Sequence, residues 1–105
     1  MNRYVIYCRD RPGSKPKRDE AKQAHFRYVE ENGSTICVAG PLKDDSGEIT
    51  GSLYIINANS KRDAWAFLEA DPYFVAGIWD NDTIVMEEFI AATGDWIGGP
   101  IWRTN

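Results

Sequence analysis

Only one histidine, His25, and two cysteines, Cys8 and Cys37, occur in the 105 residues. With so few soft ligands the chain offers no metal-ligand spacing, and neither a metal nor a cofactor is expected. The cysteines lie in apolar, strand-like runs without a C-x-x-C spacing. They read as two small buried hydrophobes of a reducing compartment. Phosphate-cradling loops of the GxGxxG or Walker type are missing, and nothing resembles a nucleophile elbow, so nucleotide and serine-hydrolase chemistry lose support. Basic charge is short as well: 12 Lys and Arg face 16 Asp and Glu, for a net charge of -4. The one basic cluster, residues 15–18, is followed at once by Asp19 and Glu20 and reads as a solvated loop. Duplex binding relies on patches that neutralise phosphates, so nucleic acid is not an expected partner. No apolar run is long enough to span a bilayer, and residues 1–5 lead straight into a strand pattern rather than a signal core. No membrane is expected, and the reading is cytoplasmic.

Aromatic residues, in contrast, are plentiful: 4 Trp, 5 Tyr and 4 Phe in a chain that forms one domain over residues 1–105. A monomer this small leaves several of them half exposed, which points to a ligand pocket or a partner surface.

Residues 3–8 predict a strand, in which Tyr4, Val5, Ile6, Tyr7 and Cys8 are β-formers or apolar, a run that suits a strand covered on both faces. A loop over residues 9–16, with Pro12, Gly13 and Pro16, leads into a helix over residues 17–32. Ala21, Ala24, His25, Tyr28 and Val29 fall on one face of that helix, and Asn32-Gly33 ends it. The second strand spans residues 35–42, and Gly40-Pro41 is expected to break its pairing, because proline cannot donate to a ladder. A polar turn over residues 43–48 leads to a third strand over residues 51–57. Ser60 caps a second helix, with Asp63 three residues on and Ala64, Trp65, Phe67 and Leu68 as its packing surface. Pro72 stops it, and Asp71 at an N-cap opens a short helical turn that ends at Gly77. The fourth strand covers residues 78–89 with a polar break at residues 80–82. The tail, residues 90–105, carries Trp96 and Trp102 and is expected to dock on the sheet or on a second subunit.

The order β-α-β-β-α-β specifies an α+β, ferredoxin-like split β-α-β fold, one antiparallel sheet with both helices on one face. The other face is bare. Tyr7, Val38 and Ile55 fit either side of the sheet, and a bare apolar face is commonly covered by a second copy, giving a homodimer.

His25 is the one side chain whose ordinary pKa lies near neutrality, which makes it the natural acid or base. On helical position alone it reads equally as a core histidine bonded to a carbonyl. Asp71 before Pro72 is explained by capping alone, or as the carboxylate that orients His25. Gly40-Pro41 and Gly51-Ser52 flank one hairpin, either as turn geometry or as a backbone-lined pocket with Ser52 as donor. Tyr7, Tyr54 and Trp79 supply either core or an aromatic wall.

The segments Tyr4-Val5-Ile6-Tyr7, Ala24-His25, Ala39-Gly40-Pro41-Leu42, Gly51-Ser52-Leu53 and Asp71-Pro72-Tyr73 with Ala76-Gly77 together resemble the YciI-like (YCII) family, over roughly residues 3–89. The resemblance implies a dimeric α/β barrel and a site built on a His-Asp pair, matching His25 and Asp71. It places the Gly40-Pro41-Leu42 and Gly51-Ser52 segments at the pocket. Tyr7 and Tyr73 are further candidate substrate contacts. The family includes a dehydrochlorinase of hydroxylated chloroaromatics, and muconolactone isomerases share the wider fold. The reading is therefore a small enzyme of lyase or isomerase type that needs no cofactor. His25 moves a proton on a small cyclic or aromatic ligand. The alternative is a binding or interaction module in which the pair is structural.

Overall fold

A computed structural model describes residues 1–94, so the expected docking of Trp96 and Trp102 lies outside the described residues. Strand β1 (Asn2–Arg9) is followed by helix α1 (Lys15–Glu31), β2 (Ile36–Lys43), β3 (Ile49–Ala58), α2 (Lys61–Glu69), the short α3 (Pro72–Val75) and β4 (Val85–Glu88). The strands form one sheet in the order β2-β3-β1-β4, with every neighbouring pair antiparallel. Each β-α-β unit thus straddles one strand of the other, which is the ferredoxin-like split arrangement.

Alternation along the strands decides what each face carries. Tyr4, Ile6 and Cys8 of β1 lie beside Ile56, Tyr54 and Ser52 of β3, and Met86 of β4 pairs with Ile6. These residues are buried under the helices, and Ala64, Phe67 and Leu68 of α2 close over them. Val5 and Tyr7, set against Ile55 and Leu53, turn to the other face, where Val38 and Val85 join them. Tyr7, Val38 and Ile55, which fit either side on sequence grounds, therefore share the open face.

The turns follow their local chemistry. Ser60 Oγ accepts the Asp63 amide at 3.1 Å, capping α2. In the β2–β3 turn, Asp44 Oδ1 accepts from the amides of Ser46 and Glu48, and Gly47 takes a φ of 86° that suits glycine. Gly51 is required for a different reason. A Cβ at this position would stand 2.3 Å from the Cys8 carbonyl oxygen of the adjacent strand, so only a hydrogen fits.

Four expectations are corrected. Pro41 does not break the pairing: it lies opposite Ser52, and β2 continues to Lys43. As β2 is an edge strand, it tolerates a residue without an N–H, and its irregularity falls one step later, between Leu42 and Lys43. Cys37 is exposed, unlike the buried Cys8, because it sits at a register slip between Ile36 and Val38 on that edge. The fourth strand is only Val85–Glu88. Asp80 accepts the Asp82 amide and opens a 3-10 turn over Asn81–Thr83, so Trp79 contributes a single bridge to Asp10. Ala24 is exposed. The inward stripe of α1 runs through Arg18, Ala21, His25, Tyr28 and Val29, a helical repeat that mixes polar with apolar members.

Among the described residues no helix is long and apolar enough to cross a membrane.

Candidate functional site

Asp71 is fully buried, and three donors converge on it. The Tyr73 amide reaches Oδ1 at 2.9 Å, which is the N-cap bond of α3. His25 Nδ1 stands 2.8 Å from the same oxygen, and the Tyr54 hydroxyl donates to Oδ2 at 2.5 Å. Capping and orienting a histidine, which read as rival roles in the sequence, are both performed by one carboxylate. The Asp-Pro sequence sets this up: Pro72 starts the turn at a fixed φ, and the capping geometry aims the carboxylate back across α1.

With Asp71 as acceptor, Nδ1 of His25 carries the hydrogen. Nε2 makes no hydrogen bond among the described residues, and the side chain, 14% exposed, borders a cleft, so in the neutral ring Nε2 carries a lone pair not engaged by those residues. The ring lies flat on Tyr73, centroids 3.7 Å apart and planes 8° from parallel. Tyr54 stays a phenol, because burial raises its pKa strongly and the neighbouring Asp71 charge adds to the effect. Burial also raises Tyr73, with Arg18 pulling in the opposite direction and Asp71 pushing further up. Cys8 behind them is pushed up to about 12, by burial first and then by the charges of Asp71 and Asp10, against the pull of Arg18. It is no thiolate nucleophile at neutral pH.

Arg18 is the residue of the candidate site that sequence reasoning missed. It is buried, although it belongs to the cluster read as a solvated loop. Its Nε and Nη2 form a two-pronged bond to Asp10 at 2.6 and 2.8 Å, and Nη2 also reaches Ser52 Oγ at 2.9 Å and the Gly51 carbonyl at 3.2 Å. Burial works against the guanidinium charge, but the hydrogen bond and charge of Asp10 outweigh it and raise its pKa above the ordinary value. The guanidinium also sits 5.0 Å from the centre of the Tyr73 ring. One signal was available: Arg18 lies seven residues before His25, two turns along the same helix face.

These groups line a cleft of about 410 Å³ between α1 and the β2–β3 hairpin. His25, Gly40, Pro41, Ser52 and Tyr73 all face it, as do Tyr54 and Arg18. Phe26, half exposed on α1, forms part of its rim. Leu42 and Tyr7 are not brought there: Leu42 lies opposite Gly51 further along β2, and Tyr7 is on the open sheet face, where its hydroxyl accepts from Arg9. Trp79 stands behind the site in the core, edge-on to both Tyr54 and Tyr73. Asp71 itself lies beneath the cleft, reached through His25 and Tyr54. Among the described residues no three His, Cys, Asp or Glu side chains come together to hold a metal.

What the arrangement can do chemically is limited and specific. It offers one base nitrogen held in a fixed tautomer, an uncommitted Ser52 O–H beside a cationic guanidinium, and a floor of aromatic rings.

The profile of the YCII-related domain matches residues 2–89. The chain is 32% identical to the protein YciI of Escherichia coli O6:H1 over 89 residues, covering 77% of this chain and 91% of that protein. The YciI protein of Shigella flexneri matches to the same extent. Among solved structures, the 5-chloro-2-hydroxyhydroquinone dehydrochlorinase TftG of Burkholderia phenoliruptrix, in complex with 2,5-dihydroxybenzoquinone, superposes with a TM-score of 0.75 at 32% identity. The match covers 89% of this chain and 96% of that one.

Proposed function

The chain belongs to the YCII-related family, and on that premise we propose that it is a small enzyme of lyase or isomerase type that moves a proton on a small, oxygenated cyclic or aromatic compound. The observation that carries this reading is the His25–Asp71 bond of 2.8 Å, with Nε2 left free at the cleft. The dehydrochlorinase TftG, which holds a dihydroxybenzoquinone, supports the class of compound.

In this reading His25 Nε2 takes a proton from a ring carbon beside a carbonyl. The C–H electron pair moves toward the carbonyl oxygen as an enolate. Ser52, whose Oγ accepts from Arg18 and whose own O–H remains to donate, stabilises that oxygen, and the Arg18 charge reinforces it. Collapse of the enolate then expels a leaving group from the neighbouring carbon, or takes the proton back at another carbon. Asp71 keeps the imidazole in its tautomer and stabilises the charge that the ring gains. A positioned base of this kind contributes about 10² to 10⁴ in rate.

The proposal extends to assembly and setting. A second copy covers the open sheet face, on which Val5, Tyr7, Val38, Leu53, Ile55 and Val85 are gathered. Cys8 and Cys37 are both free, which suits the cytoplasm.

The test is solvent deuterium exchange into a panel of lactones and hydroxylated aromatics. Exchange should depend on the protein and vanish in His25→Ala while the fold survives. Undiminished exchange in that variant would overturn the proposal. The competing reading, a binding module in which the pair is structural, is favoured by the way Asp71 ties α1, β3 and α3 together. It predicts that Asp71→Asn lowers stability and that neither variant alters any reaction.

A further inference from the structure

Beside the His25 cleft lies a second and larger one, of about 790 Å³, between the β1–α1 loop and the β2–β3 turn. The two share Arg18, Lys22, Ile49 and Tyr73, so they adjoin along that wall, with His25 in the smaller one. The larger part has a charge opposite to that of the chain. Six of its lining residues are cationic and three are anionic, whereas the protein carries -4 overall. Arg18 is paired with Asp10, and Lys15 with Asp19. The Arg9 guanidinium is turned to Tyr7 on the open sheet face, so among the described residues that leaves Arg11, Lys22 and Lys43 against Glu48 alone. Clustered charge of one sign in a concave wall focuses the field and raises the local concentration of an oppositely charged ligand.

At the junction two groups have donors to spare. Nη1 of Arg18 makes no hydrogen bond among the described residues, although the rest of its guanidinium is committed and the Tyr73 hydroxyl also interacts with it. Lys22 forms no ion pair among the described residues, and its ammonium stands 5.7 Å from the Phe26 ring centre on the rim shared with His25.

We propose that the ligand carries a carboxylate, seated between Arg18 Nη1 and Lys22 at the junction, with its ring toward His25. This rests on the reading of His25 as the working base, and it adds the substrate class: ring compounds bearing a carboxylate rather than neutral ones. The second cleft is then the entrance that gathers the anion, and the smaller one holds the ring.

The test reads binding rather than turnover, so it separates from the test of His25. Salicylate and its neutral isostere salicylamide are titrated into the full chain, with NMR shifts of the Arg18, Lys22 and Tyr73 signals as readout. Salicylate should bind about tenfold or more tightly than salicylamide. Lys22→Gln, an exposed position that leaves the fold intact, should erase most of that preference. Raised salt should weaken salicylate and leave salicylamide unchanged. His25→Ala should retain the preference, so that loss of turnover with retained anion binding supports the site whatever becomes of the catalytic reading. Equal affinities, no binding of either compound, or shifts confined to other surfaces would overturn the proposal. So would inorganic phosphate binding the same residues more tightly than salicylate.

Discussion

The imidazole of His25 and the ring of Tyr73 lie face to face at 3.7 Å, and both are tied to the same oxygen of Asp71, one through Nδ1 and the other through its backbone amide. The stack, the cap and the base are therefore one unit. Movement of α3 carries the base with it, and loss of the carboxylate disturbs α1, α3 and β3 together.

Asp71→Asn should accordingly destabilise the protein as well as disable the site. An amide supplies one acceptor where three donors converge, so Tyr54 or His25 is left facing an N–H. For a fully buried position the expected cost is about 1 to 3 kcal/mol, measured by denaturant unfolding.

The Arg18–Asp10 pair makes a different prediction. Both side chains are largely buried, at 10% and 8% exposure. Asp10→Asn leaves a buried guanidinium without its counter-charge and should cost about 3 kcal/mol or more. Replacing both partners by apolar residues should recover much of that loss, and a double-mutant cycle on unfolding free energies measures the coupling.

Much of the fold was legible in the sequence because strand composition, Ser60, Asn32-Gly33 and Asp71-Pro72 all mark boundaries locally. His25 and Asp71 could be named as candidates, but spacing could not join residues 46 apart in the chain. Arg18 was hidden because the inward stripe of α1 is not wholly apolar. Arg18, His25 and Tyr28 each reach inward to a polar partner, on Asp10, Asp71 and the Phe67 carbonyl. A search for hydrophobic periodicity therefore favoured Ala24, which is exposed, over Arg18, which is not. Pro41 misled for a similar reason: whether a proline breaks pairing depends on strand order, which the local sequence does not carry.

Gly51→Ala tests the packing of β3 on β1. The added methyl would stand 2.3 Å from the Cys8 carbonyl, a backbone atom held in the ladder, so the strands must part. A loss of about 1 to 3 kcal/mol is expected, with no change in charge or polarity to confuse the reading.

Cys8 sets an alkaline limit. Burial pushes its pKa up to about 12, above the ordinary thiol value of 9.0, so between these values the folded state holds a proton that the unfolded chain releases. The stabilisation is complete below pH 9 and is lost as pH rises toward 12, at about 1.4 kcal/mol per pH unit. Between pH 9 and 10, below the range in which the raised pKa values of Tyr54 and Tyr73 add their own decline, urea unfolding should show the loss and Cys8→Ala should flatten it. Below that window a thiol reagent should modify Cys37 alone in the native protein.

The most direct test of the account is the tautomer of His25, read from the ring nitrogen shifts in long-range ¹H–¹⁵N NMR of the neutral ring. The account predicts that Nδ1 carries the hydrogen, held by Asp71, and that Nε2 is the free base facing the cleft. Asp71→Asn should abolish that preference. A hydrogen on Nε2 in the wild-type protein, or a tautomer indifferent to Asp71, would contradict it.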